Sequence, residues 1–575
     1  METRRPSVRS RRRARSFTGA LVVVVGLLSS LAACSSGSST PAAPADLVLP
    51  LVVGLRRDDA GLAEAALQRS TPKGPDYRRW LTPAEIAAQY GAPAGRAEAA
   101  LATLTAAGFT GSVDATGGLL VGQMRAADAA KFFGNRIVQL PIGESGLLAM
   151  PEKALEVPKK LAGDAVEVIG LTMLIDADTT STVPAAGPTP PADPACPTSK
   201  GLGGALAAHY GFASLLQAGA TGKGVRITMV EVSPTSQKAL ELTRACRPFR
   251  VAPVTVTAAD ASTPEAFIPK AVESTLDITA VSLMAPGIDG IDIFQANGFA
   301  PLAYSLAVAL AGTGPAETPR IVSLSLGFCE SQLTDADIAV GERVLMGAAA
   351  MGTTVVASTG DFGSSACYPD DLAEAVQYPA SSHWVLGVGG TTLQRGTDGT
   401  ITGEIAWGRG GFGAGGGRTS RISRPSWQNA VPVEGKRIVP DVAFLADPSI
   451  MGAIAICDVA DRCTWEVNGG TSATAPGVAA GIALIMHRLA GPDGVPVRLG
   501  QLNQALYGNA ATDAAALAAT GSIGRAPMIR DIVTGSNDVH GIGCCSAVGG
   551  YDAATGWGVI DFGVAAERYT PFIRR

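Results

Sequence analysis

Apolar and polar positions in the first part of the chain alternate between strand-like and helix-like patterns. The run LVLPLVVGL, which starts at Leu47, is apolar enough for a buried strand. Thr82 followed by Pro83 predicts the start of a helix, with the threonine as cap and the proline in the first turn. Further short helices and strands follow, with a glycine-punctuated hairpin between them. Residues 47–178 therefore predict a small α+β domain of the ferredoxin-like type.

The rest of the chain shows a different pattern, in which apolar strands alternate with helices. Residues 225–232, 321–326 and 353–358 are apolar runs of strand length, and residues 335–351 between the last two have helical character. Such alternation predicts a doubly wound α/β fold with a parallel sheet covered on both faces. We therefore expect a second, larger domain over residues 201–575.

A proline-rich stretch separates these two regions. Residues 179–200 contain six prolines among threonine, serine and alanine residues, a composition that cannot build a core. The stretch is expected to be an exposed linker, and exposed linkers are where proteolytic cutting concentrates. We therefore expect the chain to be processed between its two domains.

The beginning of the chain has the pattern of an export signal. Seven arginines and one glutamate in residues 1–16 are followed by an apolar run over 17–33. The run ends in LAAC, and small residues before Cys34 resemble the lipobox of bacterial lipoproteins. This resemblance implies a lipoprotein signal peptide over 1–33, a lipid on Cys34 that holds the protein to a membrane, and a flexible tether over 34–46. The alternative is a plain cleaved signal in which Cys34 is incidental.

Composition and charge narrow the class of protein. The chain has 575 residues, of which 47% are hydrophobic and 17% charged, with 70 glycines and 37 prolines, as expected for a globular, loop-rich protein of two domains. The net charge is −5, and the chain without its arginine-rich leader is more acidic still. An acidic protein argues against a nucleic-acid partner. We expect a monomer located in the cell envelope, on the outer face of the plasma membrane as a lipoprotein, or secreted.

The cysteine content agrees with export to an oxidising compartment. If Cys34 carries a lipid, eight of the nine cysteines remain, an even number that predicts disulfides without assigning their pairing. Cys457 and Cys463 are close enough in sequence to close a small loop. None of the cysteines has the CxxC spacing of a zinc site.

The most specific chemical motif is GGTSATAP around Ser472, which leads into an apolar helix. Glycines let the backbone approach a substrate closely, and the free N–H groups at a helix start can stabilise an oxyanion. The motif resembles the serine motif shared by subtilisins and sedolisins. A serine nucleophile needs a base, and in subtilisins that base is a histidine followed by Gly-Thr. None of the four histidines has that context: His209, His383, His487 and His540.

Carboxylates can serve as the base instead. Glu273 and Asp277 are four residues apart, which places them on one face of a helix that is otherwise apolar or small. At low pH such a pair can share a proton, one acid acting as base and the other orienting it. Asp361 follows a predicted strand at its carboxyl end, where open α/β sheets place their sites. Taken singly, these acids also fit a solvated pair and an ordinary turn.

Together these segments resemble the sedolisins, the serine-carboxyl peptidases related to kumamolisin. The resemblance implies that Glu273 is the base, Asp277 its partner, Asp361 a protonated acid of the oxyanion hole and Ser472 the nucleophile. It also implies a subtilisin-like catalytic domain behind an activation propeptide over residues 47–178 that acts as inhibitor. The expected protein is a self-processing zymogen that hydrolyses peptide or protein substrates at acidic pH, as an endopeptidase. The competing interpretation is a catalytically silent, envelope-anchored binding protein on the same fold.

The same resemblance implies one Ca²⁺ ion near the C-terminus. Asp531 and Asp552 would supply carboxylates, and Ile532, Val548 and Gly550 would supply backbone carbonyls. Val548 stands where that family usually has glycine, and Cys544-Cys545 interrupts the loop. The alternative is a surface turn rich in aspartate and glycine.

Overall fold

The computed structural model describes most of the chain. It covers residues 40–142, 146–176, 203–246, 249–258, 270–295, 306–307, 310, 320–431 and 435–573. The predicted signal peptide, Cys34, Cys196 and the proline-rich linker lie outside the described residues. Within the described part, no helix has both the length and the apolar character needed to cross a membrane.

The N-terminal region contains a four-stranded antiparallel sheet. From edge to edge its strands are Thr110–Val113, Leu119–Arg125, Val48–Leu55 and Ala165–Gly170. This order, with helices after the first and third strands in sequence, is that of a ferredoxin-like unit, so the predicted α+β class is confirmed. The remaining strands form a smaller sheet: Ile137–Ile142, Gly146–Pro151 and Met173–Asp176. The helices are Asp59–Ser70, Pro83–Tyr90, Arg96–Thr105 and Ala126–Phe133.

The first strand, Val48–Leu55, is buried on both faces, and this explains why its sequence is apolar along its whole length. Leu49, Leu51 and Val53 belong to the core of the N-terminal domain. Val52, on the opposite face, belongs to a core that this domain shares with the second domain. A strand buried on both faces loses the alternation of a half-buried strand.

One predicted helix start is reproduced in detail. The Thr82 hydroxyl accepts a hydrogen bond from the Glu85 N–H at 3.2 Å, and the Glu85 carboxylate accepts one from the Thr82 N–H at 2.7 Å. This reciprocal capping box satisfies two backbone donors, and Pro83 occupies the first turn, where its missing N–H costs nothing.

The second domain is built on a ten-stranded, mainly parallel sheet, as predicted. Along the sheet its strands are Ile529–Arg530, Val559–Ile560, Val442–Leu445, Val385–Arg395, Thr354–Ser358, Arg320–Leu324, Arg226–Glu231, Gly290–Gln295 and Val254–Ala258, with Ile401–Ala406 beside Val385–Arg395. Apolar side chains pack on both faces: Ile227 and Met229 lie in one core, and Val230 of the same strand lies in the other. The doubly wound α/β class is therefore confirmed.

The helices and minor elements of this domain complete the fold. Its helices are Gly203–His209, Phe212–Gln217, Gln237–Cys246, Glu273–Met284, Asp335–Ala350, Pro448–Met451, Thr474–Arg488, Asn503–Thr520 and Phe562–Ile573. Short strand pairs are Phe328–Cys329 with Gln377–Tyr378, Gly408–Arg409 with Phe412–Gly413, Gly417–Ser423 with Lys436–Val439, and Ala453–Cys457 with Cys463–Val467. In the part of this domain that the structure describes, 3-10 turns are formed by Glu330–Gln332, Ser426–Ala430 and Thr471–Ala473.

A buried arginine ties the N-terminal domain to the second domain. Arg343, in the helix Asp335–Ala350, is 7% exposed and forms an ion pair with Asp59 of the N-terminal domain. It also donates to the carbonyl of Leu55 at 2.6 Å, and its Nε lies 3.5 Å from the Glu167 carboxylate. A buried guanidinium without these partners would be costly, so the ionic contacts favour the docked state.

A tryptophan strengthens the same interface. The Trp80 ring lies against Gly352 and Gly500, and a side chain at either glycine would collide with the ring. Beside it, the Leu81 N–H donates to the carbonyl of Ala350 at 3.1 Å. Glycine at both positions therefore leaves a flat surface on which the aromatic ring of the N-terminal domain packs.

Candidate active site

Ser472 lies in the 3-10 turn Thr471–Ala473, immediately before the helix Thr474–Arg488. Gly470 precedes this turn with a φ of +97°, and a side chain there would collide with the Asp361 carboxyl group. Only glycine permits both the backbone angle and the close approach. Ser472 is partly exposed, so its hydroxyl is positioned at a helix start while remaining open to a substrate.

Glu273 is the first residue of the helix Glu273–Met284 and is buried. Its carboxyl group forms a side-chain hydrogen bond with Ser472. Burial raises the pKa of Glu273 to about 7; the hydrogen bond with Ser472 opposes this rise, and the charge of Asp361 adds to it. A carboxylate in contact with a serine hydroxyl, with its pKa shifted towards neutrality, can accept the hydroxyl proton.

Asp277 lies one turn further along the helix and is completely buried. Its Oδ2 accepts a hydrogen bond from the Ser325 hydroxyl at 2.6 Å. Burial raises the pKa of Asp277 well above its ordinary value, and the neighbouring carboxyl groups of Glu231 and Glu273 raise it further. Burial thus favours the protonated form of Asp277, whereas the hydrogen bond from Ser325 favours the ionised form.

Glu231 is a member of this acid cluster that sequence reasoning missed. It ends the strand Arg226–Glu231, is 1% exposed and forms a side-chain hydrogen bond with Asp277. Among the described residues, no N–H or hydroxyl group donates to its carboxyl oxygens. Two carboxyl groups form a hydrogen bond only when one is protonated, and burial raises the pKa of Glu231 well above its ordinary value. A lone acid at the end of an apolar strand was the signal that could have identified it.

Asp361 faces the serine from the other side. Its Oδ1 accepts hydrogen bonds from the Thr471 N–H at 2.7 Å and from the Thr471 hydroxyl at 2.8 Å. Burial raises the pKa of Asp361, and these two hydrogen bonds oppose the rise. Asp361 and Ser472 line the same cavity, which has a volume of about 100 Å³. A protonated carboxyl group there can donate a hydrogen bond to an oxygen that becomes negatively charged.

The sheet brings these groups together. Glu231, Ser325 and Asp361 lie at, or just beyond, the carboxyl ends of three neighbouring strands, and Ser472 is joined to them through Glu273 and Thr471. The three strands are parallel and adjacent in the sheet: Arg226–Glu231, Arg320–Leu324 and Thr354–Ser358. Carboxyl ends of parallel strands are where open α/β sheets form their sites. All four predicted catalytic residues thus lie in one cluster.

The histidines contact residues other than Ser472. None of the described hydrogen bonds or ring contacts joins a histidine to Ser472. Instead the four contact the Glu404 carboxylate (His209), the N–H groups of Thr221 and Gly222 (His487), the Ser423 carbonyl (His383) and the Tyr368 ring (His540). A histidine base therefore has no support in the described part of the chain.

The residues predicted to hold Ca²⁺ also converge. Asp531 Oδ2 accepts a hydrogen bond from the Gly550 N–H at 2.7 Å, and Asp552 Oδ2 accepts one from the Val548 N–H at 2.9 Å. Both carboxylates thus meet the same short loop, and burial raises the pKa of both. Ile532, next to Asp531, is buried. Two carboxylates that meet at one loop, beside its backbone oxygens, fit a hard cation such as Ca²⁺.

Disulfides form as the cysteine count predicts. The pairs are Cys329–Cys367, Cys457–Cys463 and Cys544–Cys545, and Cys246 is also disulfide-bonded. The expected small loop between Cys457 and Cys463 is confirmed. Cys329 and its neighbours line the cavity beside Ser472, so the first pair braces the wall of the site.

Comparison with known proteins supports the arrangement. The family described as Pro-kumamolisin, activation domain, matches residues 36–174, and the Subtilase family matches residues 283–524. Kumamolisin from Bacillus sp. (strain MN-32) is 35% identical over 299 residues, which cover 50% of this chain and 48% of kumamolisin. Sedolisin from Pseudomonas sp. (strain 101) is 32% identical over 255 residues, 42% of this chain and 39% of sedolisin. This chain thus spans about half the length of these relatives, or less.

Two further comparisons reach beyond these segments. Xanthomonalisin from Xanthomonas sp. (strain T-22) is 27% identical over 577 aligned positions, which cover 92% of this chain and 66% of that protein. Among solved structures, Pseudomonas sedolisin complexed with two molecules of pseudo-iodotyrostatin matches with a TM-score of 0.51 at 24% identity, over 61% of this chain and 94% of that one. At this identity the structural match shows that the fold is shared.

Proposed function

Because the chain belongs to the sedolisin family, with a pro-kumamolisin activation domain ahead of a subtilase-family domain, we propose that it is the zymogen of a serine-carboxyl peptidase. The reaction is hydrolysis of peptide bonds at acidic pH, with endopeptidase action. The observation that carries the proposal is the contact of Ser472 with the raised-pKa carboxyl of Glu273, with Asp361 in the same cavity.

In the proposed reaction the Ser472 oxygen attacks the carbonyl carbon of the substrate. Its proton passes to Glu273, while the carbonyl oxygen becomes negative and receives a hydrogen bond from protonated Asp361. Collapse of this intermediate breaks the C–N bond, and Glu273 returns the proton to the leaving amine. Water then repeats the sequence on the acyl-enzyme and releases the acid. Asp277 and Glu231 hold protons behind Glu273 and orient it.

The N-terminal domain is the proposed inhibitor. The ionic contacts of Arg343 with Asp59 and Glu167 support it, because they fix this domain to the catalytic one. Self-cleavage within or near residues 179–203 then separates the domains.

The proposal extends to a metal ion and to location. One Ca²⁺ bound by Asp531, Asp552 and the carbonyls of Ile532, Val548 and Gly550 would neutralise the two carboxylates and stabilise the C-terminal loop. Lipid on Cys34 would hold the protein at the outer face of the plasma membrane. Mass spectrometry of the N-terminal peptide tests this, since an unmodified Cys34 in membrane-derived protein would contradict it.

The proposal is tested by acidifying the full-length protein and following its size and its activity on a peptide library. Wild type is expected to shorten by loss of the N-terminal domain and then to cut peptides. Ser472→Ala is expected to remain full length and inactive. Ser423→Ala, which alters an exposed serine of the same domain, serves as the matched control. If Ser472→Ala matures at the wild-type rate without added protease, self-processing by this serine is wrong. A folded wild type that cuts no peptide would instead favour the silent binding protein.

A further inference from the structure

Ser325 makes two contacts that the proposed reaction does not use. It follows the strand Arg320–Leu324 and is 4% exposed. Its hydroxyl oxygen lies 2.6 Å from Asp277 Oδ2 and 2.8 Å from the backbone carbonyl oxygen of Ser472. One buried hydroxyl thus joins the inner acid to the peptide that carries the nucleophile.

The sequence explains why the Ser472 carbonyl needs this partner. In a helix, a carbonyl accepts a hydrogen bond from the N–H four residues later. Four residues after Ser472 stands Pro476, which has no N–H. The α-helical bond from position 476 to this carbonyl therefore cannot form, and the Ser325 hydroxyl lies within hydrogen-bond distance of it from a neighbouring strand. The proline of the GGTSATAP motif thereby leaves the carbonyl available to a group of the active site.

The hydrogen bonds that Ser325 makes depend on the charge of Asp277. A hydroxyl has one hydrogen, while Asp277 and the Ser472 carbonyl both lie within hydrogen-bond distance. If Asp277 is ionised, the hydrogen of Ser325 is drawn to the charged oxygen, because charge-assisted bonds are the stronger ones. The Ser472 carbonyl then loses the hydrogen bond from Ser325. If Asp277 is protonated, it donates to Ser325, and Ser325 donates to the carbonyl, so both contacts are hydrogen bonds.

We propose that Ser325 is a positioning residue that holds the nucleophile-bearing peptide only while Asp277 is protonated. The groups that face this relay are acids: Glu231 from the strand Arg226–Glu231, Glu273 from the same helix as Asp277, and Asp361 beyond Glu273. Protons held by this cluster therefore set the orientation of the Ser472 peptide as well as the charge of the base. This inference rests on the proposed function, which it extends by one residue.

The test compares Ser325→Ala with two other variants by measuring kcat and KM against pH on one peptide. Loss of the carbonyl donor is expected to lower kcat about 10- to 100-fold with KM changed less than about 3-fold, because the contact serves the transition state rather than binding. Ser325→Thr keeps the hydroxyl and is expected to recover most of kcat. Ser323→Ala is the matched control, since Ser323 lies two residues earlier in the strand, is equally buried, and has no hydrogen-bond partner among the described residues.

The pH profile separates positioning from packing. Without Ser325, ionised Asp277 loses a donor; because the hydrogen bond from Ser325 lowers the pKa of Asp277, Asp277 is expected to ionise at higher pH and the alkaline limb of kcat to move to higher pH. A packing defect would lower kcat without this shift. Wild-type kcat and an unshifted profile in Ser325→Ala would overturn the inference, as would an equal loss in Ser323→Ala.

Labelling of Ser472 by a fluorophosphonate probe is measured in parallel. A wild type that neither cuts peptides nor labels would overturn this inference together with the proposed function, whereas normal cleavage by wild type and Ser325→Ala alike would overturn the inference alone.

Discussion

Replacement of Asp361 tests whether a neutral acid completes the oxyanion hole. Both hydrogen bonds from Thr471 end on Oδ1, at 2.7 and 2.8 Å. In Asp361→Asn these two donors require an acceptor at that position, so the amide oxygen stays at Oδ1 and the amide nitrogen takes the place of Oδ2. The variant therefore keeps a donor next to Ser472, and this donor never ionises. Asp361→Ala removes the donor altogether.

The expected magnitudes follow from this difference. Loss of one oxyanion donor costs about 10²–10³ in kcat, which corresponds to about 2.7–4 kcal/mol of transition-state stabilisation. Asp361→Ala should therefore be nearly inactive at every pH. In the wild type the donor exists only while Asp361 is protonated, so activity falls as pH rises through its pKa, which burial raises. Asp361→Asn should keep substantial activity, and its alkaline limb should extend to higher pH unless Asp277 or Glu273 fixes that limb.

The assay is kcat/KM against pH for wild type, Asp361→Asn and Asp361→Ala on one internally quenched peptide. Variants that do not process themselves are matured by the same trace of wild-type enzyme, and Ser472→Ala treated in the same way gives the background. Circular dichroism and thermal unfolding confirm that each variant is folded. Full activity in Asp361→Ala would refute the oxyanion role, and with it most of the serine-carboxyl mechanism.

Two further outcomes are expected. Exhaustive chelation of calcium should lower the melting temperature and the activity together, and Asp552→Ala should reproduce the effect; an unchanged melting temperature would count against the site. Glu231→Gln removes a buried acid whose pKa is raised in the fold, so it should raise the melting temperature at neutral pH more than at pH 4. An equal change at both pH values would show that Glu231 does not titrate in this range.

The sequence predicts those features of the site and the fold whose geometry is set by a few adjacent residues. A separation of four residues places Glu273 and Asp277 on one helical face whatever surrounds them. Gly470 before Ser472 reveals a turn that only glycine can make, and Thr82 with Pro83 marks a helix start. These features depend on a few adjacent residues, so they could be predicted without knowing the sheet.

Features that depend on strand order could not be predicted. Glu231 and Ser325 are separated by 94 positions in sequence, yet both reach Asp277 because their strands are neighbours in the sheet. Likewise, the ion pair of Arg343 with Asp59 joins two domains across 284 positions. A residue type and its local context give no information about such pairing, which is set by how strands and domains pack.

The acid cluster links the chemistry to the pH at which the fold is most stable. Burial raises the pKa values of Glu231, Glu273, Asp277 and Asp361, so each binds its proton more tightly in the folded state than in the unfolded chain. For such groups the stabilisation is complete below the unfolded carboxyl pKa of about 4 and is lost as pH rises through the folded values. A site that must hold Asp361 neutral therefore also favours the fold in acid. The same burial that makes a carboxylic acid useful as an oxyanion donor makes neutral pH the costly condition for this domain.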